Sequence, residues 1–377
     1  MGTPATTQAS EPEVIVRRAG QLGHLILNRP QALNSLNHQM VQIVRATLER
    51  WRDDDDVATV LVSGAGAKGL CAGGDVVSLY RAAVDGRPEV GDAFFADEYA
   101  MNALIADFPK PYVAFMDGIV LGGGVGISAH GSHRIVTERT RLGMPETGIG
   151  FFPDVGGAWL LSRAPSGFGL HMALTSGHVT GADAVALGFA DRFVPSGNLA
   201  ALATALETTD AQTAIDAVST TPPDSPLMGD RRWIQSCYAG GTAEGIVEAL
   251  QADGDPAAAD AATQILAKSP TSVKATLELL RRAGDMTSVQ DVLAMDARLA
   301  HHLLRGHDMR EGIRAQLVDK DRNPQWNPAT LEDVTAQDVA ALFAAVDRHG
   351  DTVKPSKPAN TSPGSAPDHS ATKEYQP

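Results

Sequence analysis

Two carboxylic acids, Glu146 and Asp154, lie eight residues apart in a stretch that is otherwise apolar and rich in glycine. A carboxylate in apolar surroundings is costly unless it is paired or used, so such a group can act as acid, base or nucleophile with a raised pKa. The alternative is a structural role, as a helix cap or half of a salt bridge. The residues alone do not decide between these roles.

Two glycine clusters could supply the complementary chemistry. Gly73 and Gly74 belong to the run CAGGD at residues 71–75, and residues 122–124 are all glycine. If each cluster directs one backbone N–H to the same point, the pair forms an oxyanion hole, in which each donor contributes about 10²–10³ in rate. The alternative is that both clusters are tight turns, which the residues alone favour.

Other chemistries fit the sequence less well. Residues 64–69 match G-x-G-x-x-G, but more glycines follow where a dinucleotide site needs a helix. The histidines show no metal-binding spacing, and residues 126–130 fail the last position of the G-x-S-x-G elbow. We therefore expect neither a metal nor a cofactor.

The elements that must position these residues alternate between strand and helix. Short apolar runs at residues 14–16 and 24–27 indicate a β-hairpin, and apolar residues at helical spacing over 40–51 predict a helix capped by Ser35 or Asn37. Further predicted elements are strands at 59–62, 112–115 and 134–136 and a short helix at 123–130. This order predicts an α/β core.

Composition divides the chain into four parts. We expect a disordered leader over residues 1–12, the α/β core over 13–198, and a disordered tail over 351–377 that is rich in Pro, Ser and Thr. Alanine-rich segments at 210–218, 242–252 and 273–282 predict a helical C-terminal region over residues 199–350.

Charge and cysteine content exclude several classes of partner. A net charge of −14 repels phosphate backbones and anionic lipids, so we expect neither nucleic acid nor membrane as partner. The most apolar stretch, residues 112–129, contains Asp117 and five glycines, which is wrong for a membrane span. Cys71 and Cys237 suit a reducing compartment, and we expect a cytoplasmic protein.

Taken together and in order, these segments resemble the crotonase, or enoyl-CoA hydratase/isomerase, superfamily from about residue 14 to residue 343. Residues 28–36 are similar to its coenzyme-A segment, residues 71–75 to its first oxyanion segment and residues 122–126 to its second. The resemblance implies a spiral of ββα units, an acyl-CoA thioester substrate, and a homo-oligomer such as a trimer or its multiples. By this resemblance Gly74 and Gly123 hold the thioester oxygen, and the substrate-contacting positions are Ala32, Leu33, Ala72, Gly73 and Asp75.

Within the superfamily, the chain resembles the subgroup that hydrolyses 3-hydroxyisobutyryl-CoA. The hydratases carry two catalytic glutamates; this sequence has Gly126 at the first position and Glu146 at the second. The hydrolase resemblance rests on residues 144–157, on Glu98-Tyr99 and on the run from residue 306 to 326. It implies that Glu146 is the principal catalytic carboxylate, with Asp154 and Glu98 near the acyl group.

The activity so implied is hydrolysis of (S)-3-hydroxyisobutyryl-CoA to 3-hydroxyisobutyrate and coenzyme A, a step of valine breakdown. Glu146 would either attack the thioester or activate water, and the sequence leaves both roles open. Two other functions stay open. One is an enoyl-CoA hydratase or isomerase, and the other is an acyl-CoA-binding protein without turnover.

Overall fold

The computed structural model describes residues 11–345, and residues 11–343 belong to one compact unit. The predicted leader lies outside the described residues except for Glu11 and Pro12, and so does the predicted tail. The boundary at residue 199 stays a prediction.

The strands of the described residues form two sheets. The larger sheet has the order β1-β2-β3-β5-β7-β10 and the smaller one the order β4-β6-β8-β9. The strands are β1 Val14–Ala19, β2 Leu22–Leu27, β3 Thr59–Gly64, β4 Gly69–Cys71, β5 Tyr112–Met116, β6 Ile119–Leu121, β7 His133–Val136, β8 Arg141–Gly143, β9 His178–Thr180 and β10 Arg192–Phe193.

The two sheets are built by repetition of one unit. Strands β3, β5 and β7 enter the larger sheet in parallel, and the strand that follows each of them, β4, β6 or β8, enters the smaller sheet in parallel. The chain therefore winds as a spiral, which confirms the predicted fold class. The predicted hairpin is also present, since β1 pairs antiparallel with β2.

Sixteen helices occur in the described residues, and the helix predicted over 123–130 is shorter than expected, since it ends at Gly126. They are α1 His38–Arg52, α2 Val76–Val84, α3 Glu89–Ala106, α4 Gly123–Gly126, α5 Gly157–Leu161, α6 Phe168–Thr175, α7 Gly181–Ala186, α8 Leu199–Ala205, α9 Ala211–Asp216, α10 Arg231–Cys237, α11 Ala243–Ala252, α12 Pro256–Leu266, α13 Pro270–Asp285, α14 Val289–Arg305, α15 His307–Ile313 and α16 Ala336–Leu342. The N-cap of α1 is Asn37, whose side-chain oxygen accepts from the amide of Met40 at 2.9 Å.

The helical C-terminal region is confirmed as far as residue 345, because every strand of the described residues ends before residue 194 and the regular elements from there to residue 345 are helical. Helix α14 of this region packs against α3, so the region covers the α/β core. Among residues 11–345, no helix combines the length and the apolar content that crossing a bilayer requires.

The glycine pattern at residues 64–69 opens no helix. The chain passes from Gly69 directly into β4, and Cβ atoms at Gly64 and Gly69 would lie 2.5 and 2.1 Å from backbone atoms. These glycines therefore allow close approach of neighbouring backbone, which agrees with the rejection of a dinucleotide site.

Candidate active site

The acids and the glycine clusters meet at one cavity of about 430 Å³ between the sheets and the C-terminal helices. It is lined by Ala72, Gly73, Gly74, Val76, Phe94, Phe95, Glu98, Leu121, Gly122, Gly123, Pro145, Glu146, Gly148, Ile149, Phe151, Asp154, Ser176, Lys268, Gln316 and Leu317. The mixture of apolar walls and a few polar groups is typical of a small-molecule site.

The amides of Gly74 and Gly123 lie side by side at this cavity. A Cβ atom built on Gly123 would lie only 3.2 Å from the amide nitrogen of Gly74. Gly123 begins α4, where the first N–H groups lack an acceptor within the helix, and neither amide donates a backbone hydrogen bond in the described chain. Two adjacent free donors can hold one oxyanion.

The second glycine cluster has no room for side chains because the two glutamates occupy that space. A Cβ atom on Gly122, whose φ is +49°, would lie 2.5 Å from Oε1 of Glu146, and one on Gly123 would lie 2.6 Å from Oε1 of Glu98. Glycine at both positions therefore lets two carboxylates approach the backbone.

Three elements deliver the three acids. Glu98 lies on α3, Glu146 follows Pro145 at the start of a short 3₁₀ turn, and Asp154 lies in the turn before α5. Their exposed fractions are 2%, 7% and 5%. Oε1 of Glu98 and Oε2 of Glu146 have no hydrogen-bond partner within residues 11–345, whereas Oδ2 of Asp154 accepts from the Tyr99 hydroxyl at 2.9 Å.

The electrostatics of this acid cluster favour the protonated forms. Burial raises the pKa of Glu98 and of Glu146 well above the usual range, and the nearby Asp154 charge raises both further. Burial also raises the pKa of Asp154 to about 7, against the hydrogen bond from Tyr99, which lowers it. One acid of the cluster can therefore exchange a proton near neutral pH.

The structure brings most of the predicted site residues together. Glu98, Glu146, Asp154, Gly74 and Gly123 all line the cavity, as do Ala72 and Gly73.

Three predicted substrate-contacting residues lie outside the lining of this cavity: Ala32, Leu33 and Asp75. The Asp75 carboxylate accepts from the amide of Ser78 at the start of α2 and pairs with Arg29 at 3.2 Å. That carboxylate is thus already used in the structure of the chain, and substrate contact by these three residues stays a prediction.

Two relevant residues were missed by the sequence analysis. Asp296 on α14 is fully buried and accepts from the amide of Gly156 at 2.8 Å. It lies on the helix face with Val292 and Leu299, so an acid within an apolar helical stripe is a signal that could have found it. Lys268 lines the cavity without a hydrogen bond or ion pair from its side chain within the described residues, and no sequence pattern singles it out.

A second cavity, of about 530 Å³, lies beside α6, α13 and α16. Its ionisable side chains are paired: Lys274 contacts Glu244 at 2.5 Å, and Glu278 contacts Arg281 at 2.8 Å. Ion pairs account for the charged side chains of this second cavity by a structural role. The cavity whose acids lack such pairs is therefore the candidate active site.

Comparisons with known proteins agree with this geometry. The family model described as enoyl-CoA hydratase/isomerase matches residues 22–343. This chain belongs to the enoyl-CoA hydratase/isomerase family. Its relatives include the mitochondrial 3-hydroxyisobutyryl-CoA hydrolases of Rattus norvegicus, 40% identical over 89% of this chain and 89% of that protein, and of Homo sapiens, 38% identical over 90% of each.

Solved structures of the family superpose closely. A crystal structure of a carnitinyl-CoA dehydratase from Mycobacterium thermoresistibile has a TM-score of 0.86 at 49% identity and covers 89% of this chain and 97% of its own. An enoyl-CoA hydratase from Rhodobacter sphaeroides has a TM-score of 0.84 at 38% identity and covers 88% of this chain and 97% of its own.

The cytoplasmic location expected from the sequence is wrong by this comparison, since the relatives from rat and human are both named as mitochondrial. The expectation rested on two cysteines and on the leader. Two free thiols indicate a reducing environment but do not distinguish one reducing compartment from another.

Proposed function

We propose that this protein hydrolyses (S)-3-hydroxyisobutyryl-CoA to 3-hydroxyisobutyrate and coenzyme A, in valine breakdown. The observation that carries the proposal is the pair of free amides at Gly74 and Gly123 facing unpaired acids. The identity of the acyl group is taken from the named activity of relatives that are 38–40% identical over nine-tenths of the chain.

In the proposed mechanism the two amides form the oxyanion hole. The thioester oxygen accepts from Gly74 and Gly123, and the tetrahedral intermediate gains most from these donors because its charge develops there. Both glutamates border the second glycine cluster, Glu146 beside Gly122 and Glu98 beside Gly123, and the family resemblance assigns the attacking role to Glu146. The ionised form of Glu146 attacks the carbonyl carbon or takes a proton from the attacking water; burial raises the pKa of Glu146, which makes this carboxylate a stronger base.

Asp154 is the proposed proton donor to the leaving thiolate. Its pKa of about 7 leaves it partly protonated near neutral pH, and the Tyr99 hydroxyl fixes one of its oxygens. In the anhydride route, ionised Asp154 then takes a proton from the water that cleaves the anhydride, and Glu146 is released as a carboxylate. In the general-base route, the proton that Glu146 took from water returns to Asp154 before the next turnover.

Glu98 is the proposed determinant of hydroxyacyl selectivity. Its buried Oε1 lies 2.6 Å from where a Gly123 Cβ would be, next to the oxyanion hole, and has no partner within residues 11–345. A substrate hydroxyl that meets this oxygen removes the cost of an unsatisfied buried polar atom, which disfavours plain acyl thioesters.

Lys268 is the proposed contact for the anionic part of coenzyme A. It is the only cationic side chain among the described residues that line the cavity. No carboxylate among the described residues pairs with Lys268, so a phosphate that approaches the amine meets no competing partner. Burial lowers the pKa of Lys268, and an approaching phosphate favours its charged form.

Reversible dehydration of a hydroxyacyl-CoA is a second candidate, because a dehydratase structure is 49% identical to this chain. The space beside Gly126 argues against it. A Cβ atom there would lie 2.7 Å from Cβ of Val155 and 2.9 Å from Nδ2 of Asn102, so the first glutamate of the hydratases has no room. Glu98 would have to replace it.

One assay separates the two candidates. Purified protein is incubated with 3-hydroxyisobutyryl-CoA while free thiol is followed with a colorimetric reagent and the conjugated thioester by its absorbance. Hydrolysis releases thiol without a conjugated product. Conjugated thioester without thiol release would reject the hydrolase and support the dehydratase. The absence of both signals would support an acyl-CoA-binding protein without turnover.

A trapping experiment separates the two roles of Glu146. Hydroxylamine that attacks the Glu146 carbonyl of an anhydride leaves a hydroxamate on the protein, whereas general-base catalysis leaves Glu146 unmodified. Hydroxamate formed directly from the free thioester stays on the acyl product, so the protein-bound hydroxamate is the readout. The expected homo-oligomer and the expected lack of cofactor and metal stay predictions.

A further inference from the structure

The turn that carries Asp154 has a strained backbone. The amide of Gly157 donates to the carbonyl oxygen of Asp154 at 2.7 Å, and the two residues between them, Val155 and Gly156, have φ values of +53° and +71°. A β-branched residue rarely adopts a positive φ. Such a conformation persists only where the surrounding structure holds it.

One buried side chain, Asp296, and one partly buried side chain, His130, hold this turn. Oδ2 of Asp296 accepts from the amide of Gly156 at 2.8 Å, and Nε2 of His130 donates to the carbonyl oxygen of Val155 at 2.7 Å. Both contacts are to the backbone of the two residues with positive φ, so they act on the strained conformation itself.

Asp296 has no other use within the described structure. It is fully buried on α14, and its Oδ1 has no hydrogen-bond partner among residues 11–345. A leucine would suit the apolar face that contains Val292 and Leu299 better than an acid does. The backbone contact to Gly156 is the feature that explains an acid at this position.

We infer that Asp296 is a positioning residue that acts through the Val155-Gly156 turn to aim Asp154 into the cavity. The inference rests on the proposed role of Asp154 in thioester hydrolysis. It assigns a part in turnover to the helical C-terminal region, since α14 fixes the direction of an acid delivered by the α/β core.

The test is a double-mutant cycle. Asp296→Ala should lower kcat for thiol release by about 10²-fold while KM stays unchanged, because a misaimed group costs turnover rather than binding. Asp296→Asn keeps an acceptor for Gly156 and should retain most of kcat. Asp291→Ala, on the same helix, is the matched control and should retain all of it.

Relief of the strain should reduce the need for Asp296. Glycine adopts a positive φ without strain, so Asp296→Ala should cost less in kcat in a Val155→Gly background than in the native one. Equal losses in both backgrounds would overturn the inference. A loss of kcat in Asp296→Asn as large as in Asp296→Ala would also overturn it. If the alanine variant does not fold, the kcat of the isosteric Asp296→Asn variant, compared with that of the native protein, tests the inference instead.

Failure of the inference is distinguishable from failure of the proposed function. Absence of thiol release by the native protein rejects the function. Native activity that is unchanged by Asp296→Ala rejects only the inference. Urea unfolding midpoints provide a readout without activity, since the shift caused by Asp296→Ala should be smaller in the Val155→Gly background.

Discussion

The acids of the cavity and the acids around Arg314 differ in whether a cation contacts them. Arg314 donates to Glu311 at 2.8 Å, to Asp319 at 2.7 Å and to Asp321 at 2.6 Å. The hydrogen bond from Arg314 lowers the pKa of Glu311 and of Asp321. Within residues 11–345 the cavity acids accept no hydrogen bond from a cation, and their pKa values are raised. The acids around Arg314 therefore stabilise the fold, and the cavity acids are available for chemistry.

Glu146→Gln should give the largest effect of all. It leaves the volume unchanged but removes the attacking or proton-accepting group, so thiol release should fall by about 10²–10⁴-fold. The melting temperature should not fall, since the variant removes a buried, unpaired acid. An active variant would show that Glu146 is not the catalytic carboxylate, and the cavity acids would then not differ in function from the acids around Arg314.

Gly123→Ala should come second. The new methyl group would lie 2.6 Å from Glu98 Oε1 and close to the Gly74 amide, so kcat should fall by about 10²-fold through the oxyanion hole. Gly284→Ala on α13 is the control, because nothing lies within 4 Å of its added Cβ. Equal kinetics for both variants would contradict the proposed oxyanion hole.

Asp154→Asn should raise stability while it lowers turnover. A carboxyl whose pKa rises from 3.8 in the unfolded chain to about 7 in the folded protein makes the protein less stable as the pH rises through that window. The variant should therefore be more stable than the native protein at pH 7 by roughly 1–3 kcal/mol, and the gain should vanish below the lower pKa. Urea unfolding at several pH values measures this slope.

Lys268→Met should raise KM for the coenzyme-A thioester by about tenfold and leave kcat unchanged. A truncated thioester without phosphates should show no difference between variant and native protein. Lys320→Met, beside the Arg314 group, is the control. A change in KM for the truncated substrate as well would place Lys268 at the acyl end instead.

Glu311→Gln should have the smallest effect and the opposite pH dependence to Asp154→Asn. The lowered pKa of Glu311 means that its stabilisation is present above its unfolded value of 4.5 and is lost as the pH falls below it. The variant should lose about 1 kcal/mol of stability at pH 7 with unchanged turnover. A turnover defect would show that this group also serves the site.

The sequence predicted secondary-structure elements better than it predicted side-chain contacts between distant residues. Hydrophobic spacing located the hairpin and α1 because these patterns are local, and the sequence offered two caps for α1, Ser35 and Asn37, of which the structure uses Asn37. Whether an acid has a cation beside it depends on the tertiary fold: Glu311 lies near Arg314 in the chain, but Glu98 and Asp154 meet only in the folded structure.

The same limit explains what was missed at the site. The two acids and two glycine clusters were visible in the sequence, and the family resemblance gave them roles. Asp296 reaches Gly156 from α14, and Lys268 reaches the cavity from the end of α12, so no local pattern connects either with Glu146. The sequence also pointed to Asp75, whose carboxylate is used in capping α2.

The crowded space beside Gly126 has a consequence for protein engineering. A designer who wants hydratase chemistry from this scaffold cannot obtain it with a glutamate at position 126 alone, because Val155 and Asn102 fill that volume. Truncation of Val155 would clear the space but would also change the turn that aims Asp154. Gain of hydratase activity and retention of thioester hydrolysis therefore both depend on Val155.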